Sequence, residues 1–202
     1  MRVGLTGGIG SGKSTVAGLL REAGAVIVDT DAISRGLTLP GGAAMPALAE
    51  AFGADFVTAD GALDRERMRA LAFSDAAAKR RLESILHPLI TAEALAQANT
   101  AATAALVVID VPLLVESGRW RPRVDRVLVV DCSTATQIER VLQRPGWTQD
   151  RIAGALAAQA TREARRAAAD AVLFNDGIPL ALLQQEVLGL AERWGCGTIS
   201  RP

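Results

Sequence analysis

Leu5-Thr6-Gly7-Gly8-Ile9-Gly10-Ser11-Gly12-Lys13-Ser14-Thr15, residues 5–15, holds the spacing Gly7-x-x-x-x-Gly12-Lys13-Ser14. An apolar segment, Arg2 to Thr6, leads into it, and an amphipathic pattern (STVAGLLREAG) leads out. Strand, glycine turn and helix in that order are the context a phosphate-binding loop requires. Glycines let the backbone turn with its N–H groups inward, and the helix N-terminus adds positive potential. Lys13 is placed to reach the β- and γ-phosphates of a nucleoside triphosphate, and the Ser14 hydroxyl to ligate Mg²⁺. Lysine occurs only at positions 13 and 79; every other basic residue is arginine. A lysine at the motif position is therefore not background composition.

Outward from the loop, further apolar runs read as strands: Ala25 to Asp29, Ala105 to Val111, Val124 to Asp131 and Ala171 to Phe174. Continuous apolar runs suit strands buried on both faces. Helical patterns between them imply βαβ units and a parallel sheet, hence an α/β fold. Residues 31–103 contain no convincing central strand. They read as a helical insertion with helices at Ala47 to Phe52, Arg65 to Phe73 and Asp75 to Ile85, the last stopped near His87-Pro88. An arginine-rich excursion runs from about Arg140 to Arg166. The C-terminal GCGTISRP (195–202) is expected to fray.

Val26-Ile27-Val28-Asp29-Thr30-Asp31 ends a strand in two carboxylates. The carboxyl ends of parallel strands share the edge where ligands bind. Residues two apart in an extended chain face the same way, which directs the acids toward the space beyond the γ-phosphate. Two readings of Asp31 stand side by side: N-cap of the helix AISRGL, or acceptor of the proton of an attacking hydroxyl. Asp110 ends another apolar run and reads either as a Mg²⁺ ligand, direct or through water, or as a strand-end turn residue.

Bulk properties narrow the classes. The 202 residues are 50% hydrophobic and 22% charged with zero formal net charge, so a core can form and a generalised grip on nucleic acid is disfavoured. Cys132 and Cys196 lack metal-ligand spacing and read as reduced thiols. No apolar run approaches membrane-spanning length, and a cytoplasmic protein is expected. Oligomeric state is not specified. A guanine-binding switch would carry Asn-Lys-x-Asp, but Asn99 and Asn175 are followed by Thr and Asp.

GLTGGIGSGKSTV (4–16), VIVDTDAISR (26–35), LHPLI (86–90), VPLLVE (111–116) and AQATREARRAAADAVLFNDG (158–177) together resemble the dephospho-CoA kinase family, in family order to about Gly177. The resemblance implies a three-layer α/β/α P-loop NTPase fold with a five-stranded parallel sheet. It implies a kinase core (1–30 and 104–202, with a lid at about 140–166) and a helical substrate-binding insertion (31–103). The implied reaction is transfer from ATP to the ribose 3′-hydroxyl of dephospho-CoA, with Mg²⁺. Asp31 is then the base, beside Lys13 and Arg140 in catalysis. Nucleotide contacts are assigned to Gly8, Gly10, Ser11, Gly12, Lys13, Ser14, Thr15, Arg144 and Asn175. Substrate contacts are assigned to Thr6, Asp29, Asp31, His87 and Arg162, and metal contacts to Ser14 and Asp110. Arg165 shares a helix face with Arg162. His87 either lines the substrate cleft or marks the helix stop, and Glu116 reads as a support residue. Val115 stands where the family often has Phe, and Tyr is absent, so base stacking falls to aliphatic or arginine surfaces.

Overall fold

A computed structural model describes residues 1–196. From residue 197 on, the C-terminal segment expected to fray lies outside the described residues. Five strands form one parallel sheet: β1 (Arg2–Gly7), β2 (Val26–Asp29), β3 (Val107–Asp110), β4 (Arg126–Asp131) and β5 (Ala171–Phe174), in the order β2-β3-β1-β4-β5. The registers Leu5 with Asp110 and with Leu128, and Asp131 with Phe174, bring the carboxyl ends of β1, β3, β4 and β5 to one edge. β1 and β3 are buried almost throughout, and β4 beyond its first residue, as their apolar runs require.

Helices cover both faces. α1 (Lys13–Glu22) and α10 (Leu180–Arg193) place Val16, Leu20, Leu183 and Val187 against Val3, Leu5, Leu128 and Val130, alternate residues of one sheet face. On the other face the short α6 (Leu114–Ser117) inserts Leu114 beside Gly4. α7 (Thr134–Leu142), α8 (Gln149–Ala157) and α9 (Arg162–Ala167) lie between β4 and β5 in sequence. Ser133, Thr148 and Thr161 cap these three helices through their side chains.

The chain divides into two compact units: Met1–Val28 with the chain from Thr100 onward, and Asp29–Asn99. The second unit contains α2 (Thr30–Leu37), α3 (Met45–Phe52), α4 (Arg65–Ser74) and most of α5 (Ala76–Thr100). Ala44, Met45, Leu48, Leu63 and Met68 form its core. Its only extended pairing among the described residues is an isolated bridge, Val57 to Leu63.

Two expectations fail here. First, His87-Pro88 does not stop a helix, and His87 is not held outside one; α5 runs on to Thr100. Leu82, Ile85, Leu86 and Leu89 all pack on the second unit's core. Their i, i+3, i+4, i+7 spacing carries one apolar stripe across the proline, and its burial outweighs one lost backbone bond. Second, the cap of α2 is Asp29, not Asp31. Asp29 is extended (φ −92°, ψ 107°) and its carboxylate accepts from Ala32 N–H at 2.9 Å. The helix therefore begins at Thr30, and the two acids no longer share one face of an extended chain.

An interior proline costs about 3 kcal/mol relative to alanine in a free helix, less where packing has adapted to it. Pro88→Ala is expected to stabilise the protein by about 1–3 kcal/mol in urea unfolding. A loss of stability would mean that the stripe across residues 82–89 depends on the proline's geometry.

Candidate active site

The loop between Gly7 and Lys13 turns the chain from β1 into α1. Gly12 closes it at φ 93°, a left-handed conformation at the helix N-cap. A Cβ there would lie 2.2 Å from Asn175 Nδ2, and one on Gly8 would lie 2.1 Å from Gln137 Nε2. Both side chains approach the loop where a glycine leaves room for them. Within the loop Ser11 N–H donates to the Gly8 carbonyl at 3.0 Å. The N–H groups of Gly10, Gly12, Lys13, Ser14 and Thr15 have no hydrogen-bond partner among the described residues. Successive unpaired donors at a helix N-terminus form an anion cradle.

Lys13 projects from the first turn of α1 to Asp110, at the end of β3, with Nζ 2.5 Å from Oδ1. Both side chains are largely buried, at 17% and 11% exposed. A close ion pair here holds the Lys13 side chain against Asp110 at the sheet's ligand edge. Ser14 and Thr15 are exposed beside it, and Ser14 and Asp110 supply hard oxygen donors.

Other residues named from the sequence lie around the loop in different ways. Asn175, after β5, donates to the Ser11 carbonyl at 2.8 Å and is buried against Gly12. The Arg140 guanidinium reaches the carbonyls of Gly10 and Ser11 at 3.4 and 3.5 Å, on the loop's acceptor side. Arg144 is exposed and has no ion pair among the described residues. Thr6 is fully buried and its hydroxyl donates to the Pro112 carbonyl at 3.1 Å. Arg162 is gripped by Asp131: Nε lies 2.9 and 3.0 Å from the two carboxylate oxygens and a terminal nitrogen 2.8 Å from one. The same guanidinium lies over the Phe174 ring, 5.7 Å from its centroid. Asp29, Asp31 and His87 belong to the second unit. Asp31 stands in the first turn of α2, exposed and without a hydrogen bond or ion pair among the described residues.

Gln137 and Gln159 escaped sequence reasoning, whereas Glu116 and Arg165, which they join, are named there as a support residue and as a neighbour of Arg162 on one helix face. Gln137 on α7 is buried and donates from Nε2 to the Ile9 carbonyl at 2.7 Å. Gln159 accepts from Ile9 N–H at 2.9 Å. Glu116 accepts from Ala160 N–H at 2.8 Å, and Arg165 donates to the Ala160 carbonyl at 2.5 Å. The Arg165 guanidinium is buried beside Gly8, with no carboxylate in ion-pair range among the described residues. The VPLLVE and AQATREARR runs carried a signal for part of this cluster, but they do not say which side chains turn inward.

Burial pushes the thiols of Cys132 and Cys196 up, which suits inert reduced cysteines. Asp176 moves the other way, to about 2, through hydrogen bonds from Thr136 and then Ser133. Its carboxylate ties the turn after β5 to the start of α7, accepting from Ser133 N–H at 2.8 Å and from the Thr136 hydroxyl. A carboxylate held below its ordinary 3.8 contributes stability fully above that value and loses it as pH falls toward about 2. Asp176→Asn should therefore lower stability near neutrality and flatten its decline between pH about 4 and about 2. Equal acid slopes in the two proteins would remove Asp176 from the account.

A parallel sheet whose first strand ends in an amide-lined glycine loop, with a lysine–aspartate pair at its mouth, defines the class of P-loop nucleotide-binding α/β proteins. The model of the dephospho-CoA kinase family matches residues 1–179, and the chain belongs to that family. It is 54% identical over 197 residues to dephospho-CoA kinase of Albidiferax ferrireducens, covering 96% of this chain and 93% of that one. It is 57% identical over 192 residues to dephospho-CoA kinase of Burkholderia pseudomallei, covering 95% and 94%. Among solved structures, TT1252 from Thermus thermophilus superposes with a TM-score of 0.80 at 33% identity, covering 95% of this chain and 97% of that one. The expected three-layer fold with five parallel strands is the one observed. Among the described residues no helix is long and apolar enough to cross a membrane.

Proposed function

We propose that this protein is a dephospho-CoA kinase: it transfers the γ-phosphoryl group of ATP to the ribose 3′-hydroxyl of dephospho-CoA, giving CoA and ADP. This is the last step of coenzyme A synthesis. Membership of the family supports the reaction, and the unpaired loop amides beside Lys13 support the nucleotide site.

Phosphoryl transfer needs positioning and charge neutralisation more than a strong base. The unpaired amides of Gly10, Gly12, Lys13, Ser14 and Thr15 receive the phosphate oxygens. Lys13 exchanges part of its bond with Asp110 for the β- and γ-phosphates and so stabilises the charge that develops on the transferring group. Ser14 and Asp110 would hold Mg²⁺. Such sites commonly use only one or two protein ligands with phosphates and water completing the shell, and two hard oxygen donors fit that pattern. The ion supplies charge neutralisation on the phosphate oxygens when bound. Of the arginines, Arg144 is uncommitted, and Arg165 offers a buried unpaired charge beside Gly8. Arg140 needs only to give up two long contacts to face a nucleotide.

The observation that favours the proton-accepting reading of Asp31 is the cap. Asp29 already caps α2, which leaves the Asp31 carboxylate uncommitted and available to the 3′-hydroxyl proton. The insertion, residues 31–103, is then the substrate-binding part, with His87 among its residues and Asp29 just ahead of it, and residues 140–166 are the lid. Closure of such parts excludes water from the phosphoryl group. We place the activity in the cytoplasm, with no membrane or nucleic-acid partner.

A coupled ADP assay tests the acceptor. Turnover is expected with dephospho-CoA and not with nucleoside monophosphates; the reverse preference would make the protein a nucleotide kinase. Asp31→Asn is expected to bind ATP as the wild type does while kcat falls about 10²-fold or more, the usual weight of acid–base catalysis. Unchanged turnover would return Asp31 to a surface role. Lys13→Ala should lower kcat by about 10²-fold through lost charge stabilisation, and an unaffected rate would undo the loop assignment.

A further inference from the structure

Both backbone polar groups of Ile9, at the tip of the glycine loop, are held by glutamine side chains. Gln159 takes its N–H at 2.9 Å and Gln137 donates to its carbonyl at 2.7 Å. We propose that Gln137 and Gln159 are positioning residues for the nucleotide: together they fix the two peptide planes flanking Ile9 and so aim the loop's amides at the phosphates. This rests on the reading of residues 7–15 as the nucleotide site.

The loop holds itself poorly. Between Gly7 and Gly12 its one internal backbone bond is Ser11 N–H to Gly8 carbonyl. Glycines at 7, 8, 10 and 12 leave those torsions soft, and a soft loop has to be ordered whenever it binds. Fixing Ile9 from both sides removes that freedom in advance. Gln137 is 2% exposed, so its amide has no competing water, and Gly8 is bare at the point where the amide approaches. Gln159 is equally well supported. The residue after it, Ala160, is fixed at its N–H by Glu116 and at its carbonyl by Arg165.

The pair also has a place in the fold. Gln137 lies on α7, ahead of the arginine-rich excursion, and Gln159 follows α8 at the excursion's far end. The segment between them is therefore anchored at both ends on one residue of the phosphate loop. A shift of either anchor turns a peptide plane of the loop, which couples nucleotide affinity to the seating of the segment.

Methionine is close to glutamine in size and removes only the hydrogen bond. Gln137→Met and Gln159→Met are each expected to weaken ATP about tenfold, both in equilibrium titration and in KM, while KM for dephospho-CoA stays within about twofold. The double variant should fall well short of the product of the single effects, because both side chains hold one residue. A loss of stability or active fraction with ATP affinity unchanged would make the glutamines structural only and overturn the proposal, as would an equal rise in both KM values. If the buried Gln137 variant does not fold, Gln159→Met, at a half-buried site, decides alone. ATP titration needs no acceptor, so a wild type inactive toward dephospho-CoA would refute the substrate reading and leave this test standing.

Discussion

Everything at the ligand edge depends on a turn from strand to helix made with almost no side chains. Gly7 to Gly12 must direct several amides into one hollow, and each glycine that permits the turn also removes a side chain that could stabilise it. The stabilising groups therefore come from elsewhere. Asn175 holds the Ser11 carbonyl, Gln137 and Gln159 hold Ile9, and Asp110 holds Lys13. The parallel sheet makes this feasible, because β1, β3, β4 and β5 end at one level: β3 ends in Asp110, the segments between β4 and β5 carry Gln137 and Gln159, and Asn175 follows β5.

Charge is handled by the same economy. The chain has no net charge, so attraction for a polyanionic nucleotide is built locally. Loop amides supply partial charges, Lys13 is held ready by Asp110, and Arg165 is buried beside the loop without an acid. Arg162 differs: its fork on the buried Asp131 carboxylate, over the Phe174 ring, makes it part of the wall at the ends of β4 and β5. Two arginines three residues apart on one helix thus have different partners, and spacing alone does not separate them.

What could be read in the sequence was what short-range pattern encodes. The loop spacing, the five apolar runs and the strandless insertion all appear in the fold, with strand ends shifted by at most two residues. Pro88 misled because the rule that proline ends a helix is local, whereas the stripe from Leu82 to Leu89 acts through tertiary burial. The cap on α2 misled for a related reason: Asp29 and Asp31 both suit an N-cap, and the helix start chose between them. Gln137 and Gln159 were invisible because they meet Ile9 across 128 and 150 residues of chain, and glutamine carries no motif by itself.

The central claim is that Asp31, released from capping by Asp29, takes the proton of the ribose 3′-hydroxyl. The most direct measurement is a crystal structure with dephospho-CoA and a non-hydrolysable ATP analogue. It should show an Asp31 carboxylate oxygen about 2.6–3.2 Å from the 3′-oxygen, with that oxygen in line with the γ-phosphorus. An Asp31 carboxylate turned to solvent, with another group in contact with the 3′-oxygen, would contradict it.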